Sequence, residues 1–242
     1  MNDEDATVPA AVREAIPAIE RSVNLVTGAL RNGGRLRYAG AGTSGRLGVL
    51  DASEAPPTFG VEPDLVHGMI AGGDAALRRA REGAEDDAEA GAGDARAAVR
   101  AGDVLVGISA SGRARYVLAA LGAARDIGAR TVGITCDPDG PLASAAEIAI
   151  VIRVGPEILA GSSRLKAGTA TKLVLNMLST ATMVKLGRTK GDLMIDMRAG
   201  SEKLRERAVR IVRDEIGVEE TEARRRLDTA GWDVRAVLER GR

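Results

Sequence analysis

Residues 35–50 read RLRYAGAGTSGRLGVL, and no other stretch says as much about the fold. Residues 35–39 form the first predicted strand, and a helix is expected to begin near Arg46. Between them lies the glycine-rich loop 40–45, whose backbone N–H groups can approach a phosphate near the N-terminus of the helix. The stretch therefore predicts a strand, a tight loop and a helix in succession, which is the repeating unit of parallel sheets.

The same alternation continues along the chain. Short β-branched runs alternate with longer runs rich in Ala, Leu and Arg, a pattern typical of a parallel sheet with crossover helices. The predicted strands are residues 35–39, 65–71, 104–108, 131–135 and 148–153. The longer predicted helices are residues 7–33, 74–100, 113–127 and 163–186. We therefore predict an α/β fold, a doubly wound five-stranded parallel sheet with a small helical C-terminal tail.

The two ends of the chain are predicted to be helical. Thr7 is expected to cap the first helix with its hydroxyl, with Pro9 in the first turn and Gly33 just past the end. From residue 201 the sequence becomes charged and helical, and Gly217 and Gly231 are predicted to separate residues 216–238 into short helices. We predict a main domain at residues 1–200, which includes the N-terminal helix, and a helical tail at residues 201–242 that serves packing or dimerisation rather than binding on its own.

Composition excludes several classes of function. The 34 basic and 34 acidic residues cancel, and aromatic residues make up only 2% of the chain, so neither a basic field nor stacking platforms for nucleic acid are expected. The single cysteine, Cys136, can form neither an internal disulfide nor a zinc site. No apolar run approaches the roughly 20 residues that span a bilayer. We expect a cytoplasmic protein that binds a small molecule and neither nucleic acid nor membrane.

The loop at residues 40–45 also satisfies the pattern Gly-x-Gly-x-x-Gly of dinucleotide-binding proteins. That interpretation requires an acidic residue at the end of the second strand, but this strand runs into Ala71, Gly72 and Gly73. Thr43 and Ser44 instead offer two hydroxyls, which suit a single phosphate or the hydroxyls of a sugar. A tight turn without a ligand remains the alternative, and it accounts for the glycines but not for the hydroxyls or Arg46.

Two further polar loops precede predicted helices. Residues 109–113 read SASGR and follow a strand directly, and residues 161–169 read GSSRLKAGT and open the longest helix. Ligands of open parallel sheets bind beyond the carboxyl ends of the strands, so the loops are expected to face one crevice. Hydroxyls, backbone amides and cationic side chains near helix N-termini predict a phosphate there. Each loop taken alone could equally be a helix cap.

The arrangement of these loops resembles the sugar isomerase domain family. Within it, residues 40–60, GAGTSGRLGVLDASEAPPTFG, resemble the signature of N-acetylmuramic acid 6-phosphate etherases, with Ala55 where Cys is expected. Further similar segments are IAGG (70–73), EGAED (82–86), VGPEILAGSSRLKAGTA (154–170) and KLVLNMLST (172–180). The resemblance implies a phosphosugar-binding domain at residues 1–200, a homodimer, and catalysis without a metal or another cofactor.

The resemblance also implies a reaction and its residues. The D-lactyl ether at C3 of N-acetylmuramic acid 6-phosphate is cleaved by elimination and addition of water, giving N-acetylglucosamine 6-phosphate and D-lactate. Such chemistry uses two carboxylates with different roles. Carried over by motif, Glu54 is the general acid and Glu85 the base at C2, although spacing alone would make Glu85 part of a solvated helix face. The candidate substrate-binding residues are Gly42, Thr43, Ser44, Ser109, Ser111, Gly112, Arg113, Glu157, Ser162, Ser163 and Lys166.

One loop departs from the family pattern. Ala114 and Arg115 stand where Thr and Pro are expected, so a hydroxyl is absent and a guanidinium that could contact phosphate is present. Two other functions are left open. They are a non-catalytic sugar-phosphate-binding regulator, resembling the glucokinase regulatory protein, and a phosphosugar isomerase. The presence of both Glu54 and Glu85 argues against the regulator, and the long etherase-like segment that contains Glu54 argues against the isomerase.

Overall fold

The computed structural model describes residues 1–241 and is built on a five-stranded, entirely parallel sheet. The strands are β1 (Leu36–Gly40), β2 (Val66–Ile70), β3 (Val104–Ile108), β4 (Arg130–Thr135) and β5 (Ile148–Val151). Their order across the sheet is β2-β1-β3-β4-β5. The predicted strands and the doubly wound α/β class are confirmed, since each strand lies within a predicted segment or within one residue of it.

Helices connect and follow the strands. They are α1 (Asn2–Asp5), α2 (Val8–Arg31), α3 (Gly42–Phe59), α4 (Ala75–Arg78), α5 (Ala88–Ala98), α6 (Arg115–Ile127), α7 (Leu142–Ala145), α8 (Lys166–Lys185), α9 (Glu202–Ile216), α10 (Glu220–Thr229) and α11 (Val234–Arg240). Gly217 and Gly231 have φ angles of 74° and 62° and follow α9 and α10, so the predicted breaks in the tail are confirmed. No helix within residues 1–241 combines the length and the apolar character needed to cross a bilayer.

The predicted helix at residues 74–100 is wrong. The chain forms α4, a single 3-10 turn at Ala84–Asp86, and then α5. Gly83 adopts φ 73°, a left-handed conformation that a continuous right-handed helix does not contain. Asp87 then caps α5, because its carboxylate accepts a hydrogen bond from the backbone N–H of Ala90 at 2.9 Å. Glu85 therefore lies on a short turn and not on the face of a long helix.

The predicted hydroxyl cap at Thr7 is also wrong. The backbone of Thr7 is already helical, because the chain arrives from α1, and its hydroxyl donates to the carbonyl oxygen of Glu4 at 2.7 Å. No side-chain cap is made to α2, although Pro9 lies in the first turn as predicted. The short helix α1, which the sequence pattern did not predict, thus sets the start of α2.

The described chain divides into two compact units. The first comprises residues 1–53 and 64–182 and contains the sheet, with an apolar cluster formed largely by α5 and α6. The second comprises residues 54–63 and, within the described chain, residues 183–241, and its apolar cluster is formed by α9, α10, α11 and the segment before them. Trp232 packs against that second cluster. The division at residue 200 into a phosphosugar-binding domain and a tail stays a prediction.

The strand order creates a switch point between β1 and β3. From β1 the chain moves outward to β2 and then returns past β1 to reach β3 on its other side. The last residue of β1, Gly40, is paired with the last residue of β3, Ile108. The loops that leave these two strands start side by side and diverge, which opens the crevice where ligands of such sheets bind.

Two glycines allow the turn from β1 into α3. A Cβ atom added to Gly40 would lie 2.6 Å from the backbone nitrogen of Gly45, and one added to Gly45 would lie 2.6 Å from the carbonyl oxygen of Gly40. Both distances are shorter than any real Cβ contact, and backbone atoms cannot rotate away. The strand and the helix can therefore meet this closely only where both residues lack a side chain.

A buried carboxylate joins β1, α3 and α8. Asp51 is 8% exposed and accepts hydrogen bonds from the hydroxyl of Tyr38 at 2.9 Å, the amide of Asn176 at 2.9 Å and the hydroxyl of Ser179 at 3.0 Å. Burial raises the pKa of Asp51, and the three hydrogen bonds oppose that shift. This carboxylate fixes the relative placement of the two helices whose N-terminal ends form the crevice.

We predict that Asp51→Ala lowers the free energy of unfolding by roughly 3 kcal/mol or more, because three donors lose their acceptor and two of them are buried hydroxyls. Asp51→Asn should cost less, since an amide oxygen still accepts hydrogen bonds. Because the folded-state pKa of Asp51 is raised above 3.8, its contribution to stability falls as the pH rises from 3.8 through that pKa.

Urea unfolding of wild type and Asp51→Asn at several pH values between about 4 and 7 measures this effect. The difference in unfolding free energy between the two proteins should shrink as the pH rises. A difference that stays constant over this range would contradict the raised pKa.

Candidate active site

The first loop leaves two hydroxyls without protein partners. Gly42 begins α3 with φ 52°, and Thr43 and Ser44 follow in its first turn. Within the described residues, neither of the two hydroxyls makes a hydrogen bond to the protein. Arg46 is directed elsewhere, because its guanidinium donates to the carbonyl oxygens of Ala76 at 2.8 Å and Leu77 at 3.1 Å. Arg46, which a turn without a ligand did not explain, thus serves to hold α4 in place.

The second loop is held by its own polar groups. Ser109 is 5% exposed, and its hydroxyl accepts a long hydrogen bond of 3.4 Å from the backbone N–H of Ala114. Gly112 has φ 67°, and a Cβ atom there would lie 3.1 Å from Oγ1 of Thr135. The Thr135 hydroxyl donates to the carbonyl oxygen of Ala110 at 3.2 Å. The loop is therefore positioned before any ligand arrives.

The two arginines at the end of the second loop, Arg113 and Arg115, are exposed at the rim of the crevice. Arg113 pairs with Asp137 at 3.1 Å, and its backbone N–H donates to the Ser111 hydroxyl at 3.3 Å. Ala114 stands at the N-cap of α6 without a side-chain cap, and Arg115 follows as the first residue of the helix, exposed to solvent. The missing threonine hydroxyl therefore leaves the start of α6 uncapped.

In the third loop, Glu157 caps α8. Its two carboxylate oxygens accept hydrogen bonds from the backbone N–H groups of Lys166 at 2.9 Å and Ala167 at 3.0 Å. Glu157, predicted to bind substrate, thus occupies two of the N–H groups that a helix N-terminus offers to anions. The hydroxyls of Ser162 and Ser163, within the described chain, have no protein partner.

Lys166 is buried and already paired. Its side chain is 4% exposed, and its ammonium lies 2.6 Å from a carboxylate oxygen of Glu4, whose own side chain is 49% exposed. The hydrogen bond and charge of Lys166 lower the pKa of Glu4. The carboxylate of Glu4, in the N-terminal helix α1, thus pairs with the lysine that was predicted to bind substrate.

Contacts within the first unit bring the three loops together. A Cβ atom on Gly168, in the first turn of α8, would lie 3.6 Å from Cγ2 of Thr43 in the first loop. The backbone N–H of Cys136 donates to the carbonyl oxygen of Ala110 in the second loop at 2.9 Å. Burial, and then the nearby charge of Glu157, raise the pKa of Cys136 to about 12, so this thiol stays protonated at neutral pH and suits a packing role.

The two candidate catalytic glutamates are exposed and unpaired. Glu85 lies on the 3-10 turn after β2, where residues Arg81 and Ala84 pack against the position of a Cβ atom on Gly72. Glu54 lies on α3 and belongs to the second unit. Among residues 1–241, neither carboxylate has a hydrogen bond or an ion pair. Both are therefore available to a ligand.

Groups of three or more His, Cys, Asp or Glu side chains suited to a metal ion are absent from residues 1–241. The chemistry that the site offers on its own consists of hydroxyls, backbone amides, one buried lysine and carboxylates.

Comparison with known proteins identifies the family. The N-acetylmuramic acid 6-phosphate etherase of Symbiobacterium thermophilum is 56% identical over 238 residues, which are 98% of this chain and 79% of that protein. The etherase of Gloeobacter violaceus is 56% identical over 236 residues, 97% of this chain and 77% of that protein. The chain belongs to the N-acetylmuramic acid 6-phosphate etherase family. The resemblance carried by residues 40–60 is thereby confirmed.

The etherase family shares its fold with other phosphosugar proteins. Residues 85–181 match the SIS domain family, and residues 18–125 match the glucokinase regulatory protein N-terminal SIS domain. A putative phosphosugar isomerase from Bacteroides fragilis superposes with a TM-score of 0.58 at 20% identity, covering 83% of this chain and 98% of that structure. At that identity the likeness concerns the fold alone.

Sequence reasoning did not anticipate three partners at this site: Glu4 on Lys166, Asp137 on Arg113 and Asp51 beneath the helices. Glu4 and Lys166 are 162 positions apart, and no local pattern connects residues at such a distance. The acidic start of the chain was the only available signal, and acidic residues are common at helix N-termini. The assignment of the eleven substrate-binding residues stays a prediction.

We predict that Glu4→Gln strengthens the binding of inorganic phosphate by roughly tenfold, because the buried ammonium of Lys166 then lacks a competing anion. Calorimetric titration with phosphate measures the change. Asp3→Asn, on the same exposed helix, is the matched control and should bind phosphate as wild type does. Equal phosphate affinity in Glu4→Gln and wild type would remove Lys166 from the phosphate site.

Proposed function

We propose that this protein is an N-acetylmuramic acid 6-phosphate etherase that cleaves the D-lactyl ether at C3 and releases N-acetylglucosamine 6-phosphate and D-lactate. The observation that carries the proposal is membership of the etherase family at 56% identity over nearly the whole chain. The chemistry of the crevice supports it. Four hydroxyls have no protein partner within the described residues: those of Thr43 and Ser44 in the first turn of α3, and those of Ser162 and Ser163 in the loop before α8.

We assign the phosphate of the substrate to the three loops. The hydroxyls of Thr43, Ser44, Ser109 and Ser111 can donate to its oxygens, and the free N–H groups at the start of α3 add to them. Lys166 supplies a positive charge once Glu4 is displaced. Gly42 and Gly112 allow the backbone to approach the ligand, while Arg113 at the rim attracts the anion.

The two glutamates divide the reaction. Glu85 removes the C2 proton of the open-chain sugar, and the electrons expel the lactyl oxygen from C3 to form a conjugated double bond. Glu54 donates a proton to that oxygen, so that D-lactate leaves with its hydroxyl restored. Glu54 then removes a proton from the water that adds at C3, and C2 is reprotonated. Atoms and charge balance with one water consumed.

The length of α3 supports a homodimer with shared sites. Glu54 follows Gly42 by twelve residues on one helix, which corresponds to about 18 Å along its axis. A hexose is less than half as long, so a sugar whose phosphate is held at the start of α3 does not extend to Glu54 on the same helix. We propose that each Glu54 serves the phosphate loops of the partner subunit.

Exposed apolar side chains support the same assembly. Leu50 on α3 is 52% exposed and Met177 on α8 is 39% exposed. They are the sequence neighbours of Asp51 and Asn176, whose hydrogen bond holds α3 and α8 side by side in this region. A second copy of the chain is the proposed cover for this region.

A non-catalytic sugar-phosphate-binding regulator is the second candidate, and the match to the glucokinase regulatory protein domain supports it. Such a regulator needs the phosphate loops but neither glutamate. Exposed, unpaired glutamates at both family positions favour the enzyme. A phosphosugar isomerase would need a base at C2 but no acid at C3.

We also propose that the reaction takes place in the cytoplasm and serves the recycling of peptidoglycan sugars. The lone Cys136, which needs no oxidising compartment, supports this location. Muramic acid is a sugar of the cell wall, and etherase cleavage converts its phosphate into an ordinary amino sugar phosphate.

We predict different defects for the two glutamates. Incubation of the wild type with N-acetylmuramic acid 6-phosphate should release D-lactate, and each of Glu54→Gln and Glu85→Gln should slow this release by roughly 10²- to 10⁴-fold. In deuterated buffer, Glu54→Gln should still exchange the C2 hydrogen, followed by proton NMR, because its base remains. Glu85→Gln should lose exchange and lactate release together. The reverse pattern would exchange the two roles, and wild-type turnover in both variants would remove them from catalysis.

We predict that the two variants complement each other. If Glu54 acts on the partner's loops, each dimer of one Glu54→Gln chain and one Glu85→Gln chain contains one intact site. The two variants are unfolded and refolded together, or co-expressed, so that their chains pair at random. About half of the dimers are then mixed, and each mixed dimer has one intact site of two, so the mixture should show about a quarter of wild-type activity. Each variant alone is the control. An inactive mixture that light scattering shows to be dimeric would place both glutamates on the same chain's sugar.

A further inference from the structure

The second unit contains a pocket that the proposed reaction does not use. Its volume is 540 Å³, and it lies between residues 195–199 and residues 231–235. Its wall includes four arginines and the only tryptophan of the chain, Trp232. We call Arg188, Arg198, Arg205, Arg235 and Trp232 the arginine pocket. A volume of this size is typical of sites for small metabolites.

The charges of the pocket are unbalanced. Four guanidiniums face two lining carboxylates, Asp196 and Asp233. Asp196 already binds two of the arginines, with Arg235 at 2.6 Å and Arg188 at 3.3 Å. Asp233 caps α11 by accepting from the backbone N–H of Ala236 at 2.9 Å. The lining therefore contains two more guanidiniums than carboxylates. Glu239, outside the lining, lies 3.9 Å from Arg235, but its side chain is 69% exposed, so water weakens that pair.

Two arginines have no buried carboxylate partner. Arg198 donates to the carbonyl oxygen of Val61 at 3.3 Å and to the carboxylate of Glu62 at 3.2 Å, but the Glu62 side chain is 85% exposed, and such ion pairs are weak in water. Arg205 has no carboxylate partner within the part of the chain that the structure describes. Its guanidinium carbon lies 4.9 Å from the centre of the Trp232 ring, so the cation is held by the indole face.

The backbone of Trp232, whose indole lines the pocket, is strained. Trp232 has φ 65° and, within residues 1–241, is the only residue other than glycine at positive φ. The backbone N–H of Trp232 donates to the carbonyl oxygen of Leu227 at 2.7 Å. The next residue, Asp233, caps α11. A large side chain held in this conformation costs energy, and such strain is characteristic of binding sites.

We propose that the arginine pocket binds a phosphate monoester, separately from the catalytic crevice. The lining has two more guanidiniums than carboxylates, and the outer partners Glu62 and Glu239 are exposed, so a ligand group with a charge of about −1.5 to −2 suits the pocket better than a carboxylate does. Guanidinium forks bind phosphate oxygens in pairs, and the indole offers an apolar face to the organic part of the ligand. The helical unit thereby becomes a second place where a phosphorylated metabolite acts on this protein.

Trp232 reports on the pocket directly, because it is the only tryptophan. Titration of the full chain with glucose 6-phosphate should change its fluorescence saturably, whereas unphosphorylated glucose should not. The double variant Arg198→Gln/Arg205→Gln should weaken this response by about tenfold or more. Lys203→Gln, an exposed residue of α9 outside the pocket lining, is the matched control and should respond as wild type does.

The variant Ser109→Ala tests whether the fluorescence response comes from the arginine pocket or from the catalytic crevice. The fluorescence response should survive this substitution in the second loop. Circular dichroism of each variant establishes that the helical unit is folded. The proposal is overturned if glucose 6-phosphate produces no saturable change, if the double variant of the two arginines responds as wild type does, or if Ser109→Ala abolishes the response.

Discussion

The contact between Gly40 and Gly45 is the constraint on which the first unit depends. The backbone of β1 and the first turn of α3 approach so closely that a Cβ atom on either residue would collide with the main chain of the other. This contact directs α3 back along the sheet immediately after the strand ends. The start of α3 consequently lies beside the end of β3, because Gly40 and Ile108 are paired. The crevice follows from this one turn and from the order of the strands.

A buried carboxylate transmits that constraint to the rest of the crevice. Asp51 stands on α3 and accepts hydrogen bonds from β1 and α8, so the helix placed by the glycines in turn places the helix of the third loop. Burying a carboxylate is costly, and the three donors offset much of that cost. The polar network of Asp51 and the close backbone packing of Gly40 against Gly45 thus position the helices of the site. Neither of them uses the hydroxyls of Thr43 and Ser44, which stay free for a ligand.

The sequence predicted the parts of the fold that local chemistry determines. All five strands are short, and β2 to β5 contain Val, Ile or Thr. The glycines that follow α9 and α10 need no distant partner, so these features could be predicted from the local sequence. The prediction for residues 74–100 was wrong because the segment is rich in the helix formers Ala, Arg and Glu, while Gly83 and Asp87 interrupt the helix. The family resemblance supplied Glu85, which spacing alone would have assigned to solvent. Partners such as Glu4 for Lys166 depend on the folded chain and have no local signal.

The pairing of Lys166 with Glu4 bears on how the proposed enzyme distinguishes its substrate. A buried ammonium without a partner is unfavourable, so a ligand that displaces Glu4, as proposed above, has to supply an anionic group in its place. A phosphate carries up to twice the charge of a carboxylate and attracts the ammonium correspondingly more strongly. Glu4 is half exposed, so it regains water when it is displaced. In the proposed site, this exchange therefore favours a phosphorylated sugar over an unphosphorylated one, and over the lactate that the proposed reaction releases.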